Sequence, residues 1–197
     1  GARSISRIRN LKENTMKQTL IVFVQDEPGV LNRVSSMIRK RNFNIDSLVA
    51  GRTDNPSITR MTIVLNEPDK TKQKIVVNNL KKLIDVYDVV DATDIDCHLR
   101  EYALVKIKIS GSPDELKSMV SIDNCRILEQ EKDTIILELS GNEAKVEEMI
   151  SKLKTFDVLE LMRSGKMAMI SGNDEEHQPE LVKSDPDWAT QKLVEAY

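Results

Sequence analysis

Asp26, Pro28 and Gly29 stand within four residues of one another, and their chemistry suits a small zwitterion. Before them, Thr19 to Val24 is β-branched and aromatic, as a strand requires. After them, Val30, Leu31, Val34, Met37 and Ile38 recur at helical spacing, so a helix over 28–42 is expected. Pro28 fits a first helical turn, and Gly29 lets another molecule approach the backbone closely. Such a turn points unpaired amide hydrogens and the positive end of the helix dipole outward, where a carboxylate can sit. The carboxylate of Asp26 could hold an ammonium group, and the two halves together describe an amino acid. Ordinary readings compete: Asp26 could cap the helix, and Gly29 could be a simple turn glycine.

The elements that must position these residues occur in the same order twice. The first pass runs through a strand over 18–25, the helix, a strand over 44–51 and a polar turn at Thr53-Asp54-Asn55-Pro56. Residues 57–65 alternate, with Ile58, Arg60, Thr62 and Val64 on one face and Met61, Ile63 and Leu65 on the other. Pro68 opens a lysine-rich helix with Val76, Leu80 and Leu83 inward, and a fourth strand covers 86–95. The order β-α-β-β-α-β is ferredoxin-like, with two helices on one face of a four-stranded antiparallel sheet.

The second pass opens with alternation at Ala103, Val105, Ile107 and Ile109. Ser112-Pro113-Asp114-Glu115 is a capping box, so a helix is expected after it. Residues 125–130 and 134–139 form a hairpin turning at Glu131-Lys132-Asp133. Asn142 starts a helix with Val146, Met149, Ile150 and Leu153 inward, and a last strand runs over 156–162, with an extension through 167–170. The expected fold class is therefore α+β: two tandem βαββαβ domains with a repeat of about 80 residues. The divisions are an arm at 1–17, a first domain at 18–95, a second at 96–171 and an acidic tail at 172–197 that carries Trp188, the single tryptophan. Small domains of this kind leave one sheet face and the sheet edges uncovered, which dimerisation would remedy.

Composition excludes several classes of function. A net charge of −3 with few aromatics leaves no basic footprint for nucleic acid. An RNA-binding fold of this strand order would show exposed aromatics on its central strands, whereas the chain has three phenylalanines and three tyrosines in all. No apolar run approaches the roughly 20 residues that cross a bilayer, and no signal-peptide pattern is present, so no membrane role and a cytoplasmic location are expected. Cys97 and Cys125 lack paired spacing, and His98 and His177 lack companion ligands, so no metal is expected. There is no phosphate-binding loop, nucleophile elbow or H-E-x-x-H, hence no catalytic residues and no enzyme activity of its own. The second domain has no counterpart of Pro28-Gly29-Val30, because Gly111 precedes its helix cap, and no equivalent amino acid site is expected there.

Three segments resemble one family closely: Asp26 to Val34, Arg41 to Leu48, and Ile58 to Ile63. The similarity continues through His98 to Lys106 and, more loosely, Val158 to Gly165, covering about residues 17 to 171. The family is the small, regulatory subunit of acetolactate synthase (acetohydroxyacid synthase). The resemblance implies an amino-terminal ACT domain and a second ferredoxin-like domain. It also implies a homodimer through the ACT domains that binds valine, with leucine or isoleucine in some members, at that interface. The implied partner is a separate catalytic large subunit that uses thiamine diphosphate, magnesium and FAD, none of which belongs to this chain. Activation of that subunit and end-product inhibition of branched-chain amino acid synthesis are the implied role.

By the same resemblance the ligand contacts fall on Asp26, Gly29, Val30, Leu31 and Asn44. Gly51 matches a position whose substitution is expected to weaken inhibition. Amides of Gly29, Val30 and Leu31 would hold the carboxylate, Asp26 the ammonium, and Asn44 of the neighbouring chain would close the site. Many relatives carry asparagine where this chain has Asp26, an exchange that keeps amine recognition. Without the resemblance, Asn44 could equally cap the helix exit or satisfy a strand edge. A stand-alone ACT-domain sensor controlling another enzyme or a transcription factor is the alternative; co-purification with a thiamine-dependent synthase separates the two.

Overall fold

The computed structural model of the 197-residue chain describes residues 17–109 and 125–172. Contacts divide the chain into one unit running to His98 and resuming at Ala168, and a second unit from Leu99 to Met167. The expected arm, the helix after Ser112, Gly111 and the tail with Trp188 lie outside the described residues.

In the first unit β1 (Lys17–Gln25) is followed by α1 (Val30–Lys40), β2 (Ile45–Arg52), β3 (Ile58–Asn66), α2 (Lys70–Leu80) and β4 (Val86–Asp91). The sheet order is β2-β3-β1-β4, so sequentially distant β1 and β3 lie side by side at its centre. They pair antiparallel from Lys17↔Asn66 to Gln25↔Ile58. Alternation decides which side chains face the helices. Leu20, Val22 and Val24 of β1 join Met61, Ile63 and Leu65 of β3 beneath Val30, Val34 and Ile38 of α1 and Val76 and Leu80 of α2. Burying each such side chain stabilises the fold by about 1.5–3 kcal/mol.

Two expectations need correction here. The first helix starts at Val30, two residues later than its periodicity suggests, because Gly29 adopts φ 86° and breaks the helical run. Secondly, the far face of this sheet is not open. Ile21, Phe23, Thr62 and Val64 are all buried, and Ala168 lies against that face. Its N–H donates to Thr62 Oγ1 at 3.3 Å, and its carbonyl accepts from the Arg60 guanidinium. Burial lowers the Arg60 pKa from its ordinary value, and its guanidinium also lies 5.9 Å from the Phe23 ring centre.

The exit of α1 carries a feature not anticipated from the sequence. Asn42 takes φ 60°, the amide of Phe43 donates to Ile38 O and that of Asn42 to Arg39 O. This is the Schellman arrangement, with asparagine in the left-handed position more often held by glycine. Asn42, not Asn44, therefore closes the helix.

The second unit repeats the plan with β5 (Cys97–Lys108), β6 (Cys125–Gln130), β7 (Thr134–Gly141), α3 (Glu143–Leu153) and β8 (Asp157–Ile170), the first two residues of β5 and the last three of β8 belonging to the first unit. Its order, β6-β7-β5-β8, is the same as the first. Its core gathers Ala103, Val105, Ile107, Ile135, Leu137 and Leu139 beneath Val146, Met149, Ile150 and Leu153, as the alternation and helical spacing require. The two four-stranded antiparallel sheets with intervening helices match tandem ferredoxin-like domains.

Candidate functional site

Among the three described helices, α1 alone begins without a side-chain cap. Asp69 caps α2, its Oδ1 accepting from the amides of Thr71 and Lys72 at 2.8 and 3.4 Å. Asn142 caps α3, accepting from the Lys145 amide at 2.9 Å. The cap position of α1 is Gly29, which has no side chain to offer, and no acidic residue stands in the first turn. The Val30 amide makes a long 3.4 Å bond to Glu27 O, and the amides of Gly29, Leu31 and Asn32 have no partner among the described residues. Arg39 and Lys40 complement the negative end of the same helix. The positive end is left uncompensated.

A cation strengthens it further. A Cβ on Gly29 would lie 3.2 Å from Nη1 of Arg33, so the guanidinium rests against the left-handed turn. Arg33 Nε is fixed by Asp85 Oδ2 at 2.5 Å, and Asp85 in turn accepts the Gln25 amide through its backbone carbonyl at 2.9 Å. The charge of Asp85 also reaches Tyr87: burial first, then Asp85 and Glu27, push the phenol pKa up. Arg33 was not singled out from the sequence. Its position four residues after Gly29 was the available signal, since i and i+4 share a helix face.

Asp26 neither caps α1 nor stands free. Its Oδ1 accepts from Thr59 Oγ1 at 2.9 Å and its Oδ2 pairs with Arg52 Nε at 2.8 Å. Its own amide donates to Ser57 O at 2.9 Å. Arg52 and Thr59 are cross-strand partners on β2 and β3, and Thr59 is also opposite Val24 of the core. Asp26 is therefore held on the helix-bearing side of the sheet.

The other residues implicated by resemblance separate. Val30 is 2% exposed and belongs to the core, so only its backbone faces outward, whereas Leu31 is 47% exposed. Gly51 is opposite Arg60, on the sheet face away from Asp26 and Thr59, and nothing lies within 4 Å of an added Cβ. Asn44 is exposed and accepts the Asn66 amide through its carbonyl at 3.1 Å. This fixes Asn44 at the Lys17–Asn66 end of the central ladder, whereas Asp26 follows Gln25 at the other end. At about 3.3 Å per residue those ends are about 26 Å apart. Within one chain they cannot touch the same small molecule.

Asn44 instead lines a cavity of about 390 Å³ with Asn32, Ser35, Ser36, Arg39 and Phe43. The polar set at 32, 35, 36 and 39 forms a stripe along α1 beside the unpaired edge of β2. Together the described groups supply an anion cradle, a fixed carboxylate and a polar groove, which is binding chemistry. Among the described residues there is no cluster of three or more histidine, cysteine, aspartate or glutamate side chains able to hold a metal ion. No described helix is long and apolar enough to cross a membrane.

Residues 20–88 match the family model described as the AHAS small subunit-like ACT domain, and residues 100–172 match that of the small subunit of acetolactate synthase. The chain belongs to the acetolactate synthase small subunit family. Between them the two family models leave residues 89–99. The chain is 37% identical over 161 residues to a protein of Archaeoglobus fulgidus named "probable acetolactate synthase small subunit", covering 80% of this chain and 99% of that one. It is 36% identical over 160 residues to the acetolactate synthase small subunit of Aquifex aeolicus, covering 80% and 83%. The crystal structure of the acetolactate synthase small subunit from Thermotoga maritima aligns with a TM-score of 0.73 and 30% identity, over 80% of this chain and 98% of that one.

Proposed function

We propose that this chain is the regulatory subunit of an acetolactate synthase. In this reading it dimerises through its first domain, senses a branched-chain amino acid, valine foremost, and sets the output of a separate catalytic subunit. Thiamine diphosphate, magnesium and FAD belong to that catalytic partner and to no residue of this chain. Family membership supports the subunit assignment. The observation that carries the sensing role is the uncapped start of α1, with its unpaired amides and Arg33 beside it and Asp26 close by in sequence.

The separation of Asp26 from Asn44 supports a site shared by two copies. β2 is an edge strand, and a second copy of β2 can pair with it antiparallel about a two-fold axis. Pairing centred on Leu48 sets Asn44 of one copy opposite Arg52 of the other. Asn44 of the second copy then arrives at the end of the sheet where Asp26 sits. The small residues Ser35 and Ser36 allow the two α1 helices to approach closely in that arrangement. The ligand carboxylate goes to the amides of Gly29, Val30 and Leu31, its ammonium to Asp26, and its apolar side chain to Leu31 and the facing groove. Gly51, on the same edge strand, acts through the strand pairing and not by direct contact.

A ligand bound by two chains favours one dimer arrangement over others, and a coupling of about 1–3 kcal/mol changes catalytic output several-fold. The second domain contacts the catalytic subunit, for which β8 offers Leu159, Leu161 and Met162, each 40–60% exposed.

The deciding experiment assays the catalytic subunit with and without this chain across a valine titration. Activation by the chain and its reversal by valine are expected. Unchanged activity in both arms would overturn the proposal.

A further inference from the structure

We infer that Arg52 is a built-in competitor for the ammonium group of the ligand: it occupies Asp26 in the empty site and must leave for an amino acid to bind. The inference rests on the amino acid site proposed above and adds a residue that sets its affinity.

The two sides of the Asp26–Arg52 pair are unequal. Asp26 is three-quarters buried as a side chain and is anchored by Thr59 Oγ1 and by its own amide on Ser57 O. The turn beyond is braced as well, with Thr53 N on Ile58 O at 3.0 Å and Ser57 N on Asn55 Oδ1 at 3.0 Å. Arg52 stands at the last position of β2 with 75% of its side chain exposed, and among the described residues its side chain is held only by Nε on Asp26 Oδ2 at 2.8 Å. The carboxylate is therefore fixed and the guanidinium is free to swing away.

An ammonium approaching Asp26 meets a carboxylate whose charge is already matched. Oδ1 is engaged by a hydroxyl and Oδ2 by a cation. Binding therefore exchanges one exposed ion pair for another. Because Arg52 is tethered a few ångströms away, it competes at the millimolar effective concentrations typical of short tethers, whatever the ligand supply. An exposed pair of this kind stabilises its contact only modestly, so the lock is weak enough for a metabolite to open. It raises the ligand concentration at which the sensor responds without altering the cradle that recognises the carboxylate.

The test is calorimetric titration of the full chain with valine for the wild type, Arg52→Gln, Asp26→Asn and the double variant. Arg52→Gln is expected to tighten valine by about two- to fivefold, because a competitor is removed. Arg52→Lys keeps a tethered cation and should fall between wild type and Arg52→Gln. In the Asp26→Asn background the same Arg52 change should have no effect, since the lock has lost its anchor. Unchanged or weaker binding by Arg52→Gln overturns the inference, the weaker case meaning that Arg52 instead holds the ligand carboxylate. If none of the variants binds valine, leucine or isoleucine, the amino acid site itself falls and the competitor with it. Binding by wild type without tightening in Arg52→Gln defeats the competitor alone.

Discussion

The two units share a strand order but use their charged residues in opposite ways. In the first, the polar groups collect at the start of α1, where amides are left open, Arg33 is held by Asp85, and Asp26 by Thr59 and Arg52. In the second, charges are drawn inward and closed on one another. Glu101, only 3% exposed, receives two bonds from Arg163 at 2.6 and 2.9 Å, and Arg163 reaches Glu147 at 2.8 Å. Lys166, 6% exposed, pairs with Glu143 at 2.7 Å. The hydrogen bond to Glu101 is the main cause of a raised Arg163 pKa. One copy of the fold has kept an unfilled polar end suited to a guest. The other has used the same kinds of residue to secure its edge strand β8. Topology alone does not make a binding site; the cap residue and its neighbours do.

The largest effect that would sharpen this contrast is expected from Arg163→Leu. It strands the buried Glu101 carboxylate, and breaking such a pair from one side costs about 3 kcal/mol. Denaturant unfolding followed by a probe in the second unit should show that loss, while valine affinity stays unchanged. The paired change Glu101→Leu with Arg163→Leu should recover most of the stability, because no charge is then buried alone. A loss of valine binding in Arg163→Leu would show that the two units do not divide their labour as described.

Gly29→Asp tests the other side of the comparison. The left-handed backbone at φ 86° disfavours any Cβ, and the new atom would meet Arg33 Nη1 at 3.2 Å. The strain costs about 1–2 kcal/mol, but the added carboxylate would fill the cradle from within and pair with Arg33. The expected outcome is a folded protein that no longer binds valine by calorimetry and no longer confers inhibition. Gly29→Ala serves as the control, carrying the strain without the charge. Retained inhibition in folded Gly29→Asp would place the ligand elsewhere.

Helix starts can also be compared directly. Asn142→Ala removes the cap of α3, leaves the Lys145 amide without its acceptor, and should lower stability by about 1 kcal/mol in the same unfolding experiment. No equivalent loss is available at α1, whose start has no side-chain cap to remove. An unchanged midpoint for Asn142→Ala would mean that caps contribute little in this fold, and the open start of α1 would then carry less meaning.

How much of this was legible beforehand follows from the range of each interaction. Alternation and helical spacing depend on neighbours a few residues apart, so the faces of β3, the 131–133 turn and the inward set of α3 could be read directly. The start of α1 was misplaced because the pattern of apolar residues does not show that Gly29 is left-handed. The αL role of Asn42 was missed for the same reason: asparagine tolerates that conformation but does not demand it. Asp26 was singled out for a carboxylate that could hold an ammonium group, yet its engagement by Thr59 and Arg52 could not be foreseen. Those residues lie 33 and 26 positions away and meet it only through the β2–β3–β1 register. The cover over the far face of the first sheet is longer in range still, since it joins Thr62 to Ala168.

That far face supplies the smallest effect and the finest test. Arg60 stands opposite Gly51 but projects away from Asp26, donating to the Ala168 carbonyl and lying over Phe23. Arg60→Met keeps much of the aliphatic stem while removing the charge, the hydrogen bond and the cation–π contact. A guanidinium already disfavoured by burial returns part of its desolvation cost when removed, so the net loss should be only about 0.5–1 kcal/mol. Valine affinity should be unaffected, because no proposed ligand contact shares that face. The two faces of one sheet would then separate cleanly, with ligand binding on the helix side and packing against Ala168 on the other. If Arg60→Met instead shifts the valine titration, the ligand is sensed through β3 as a whole, and Gly51 and Arg60 belong to the site as a pair.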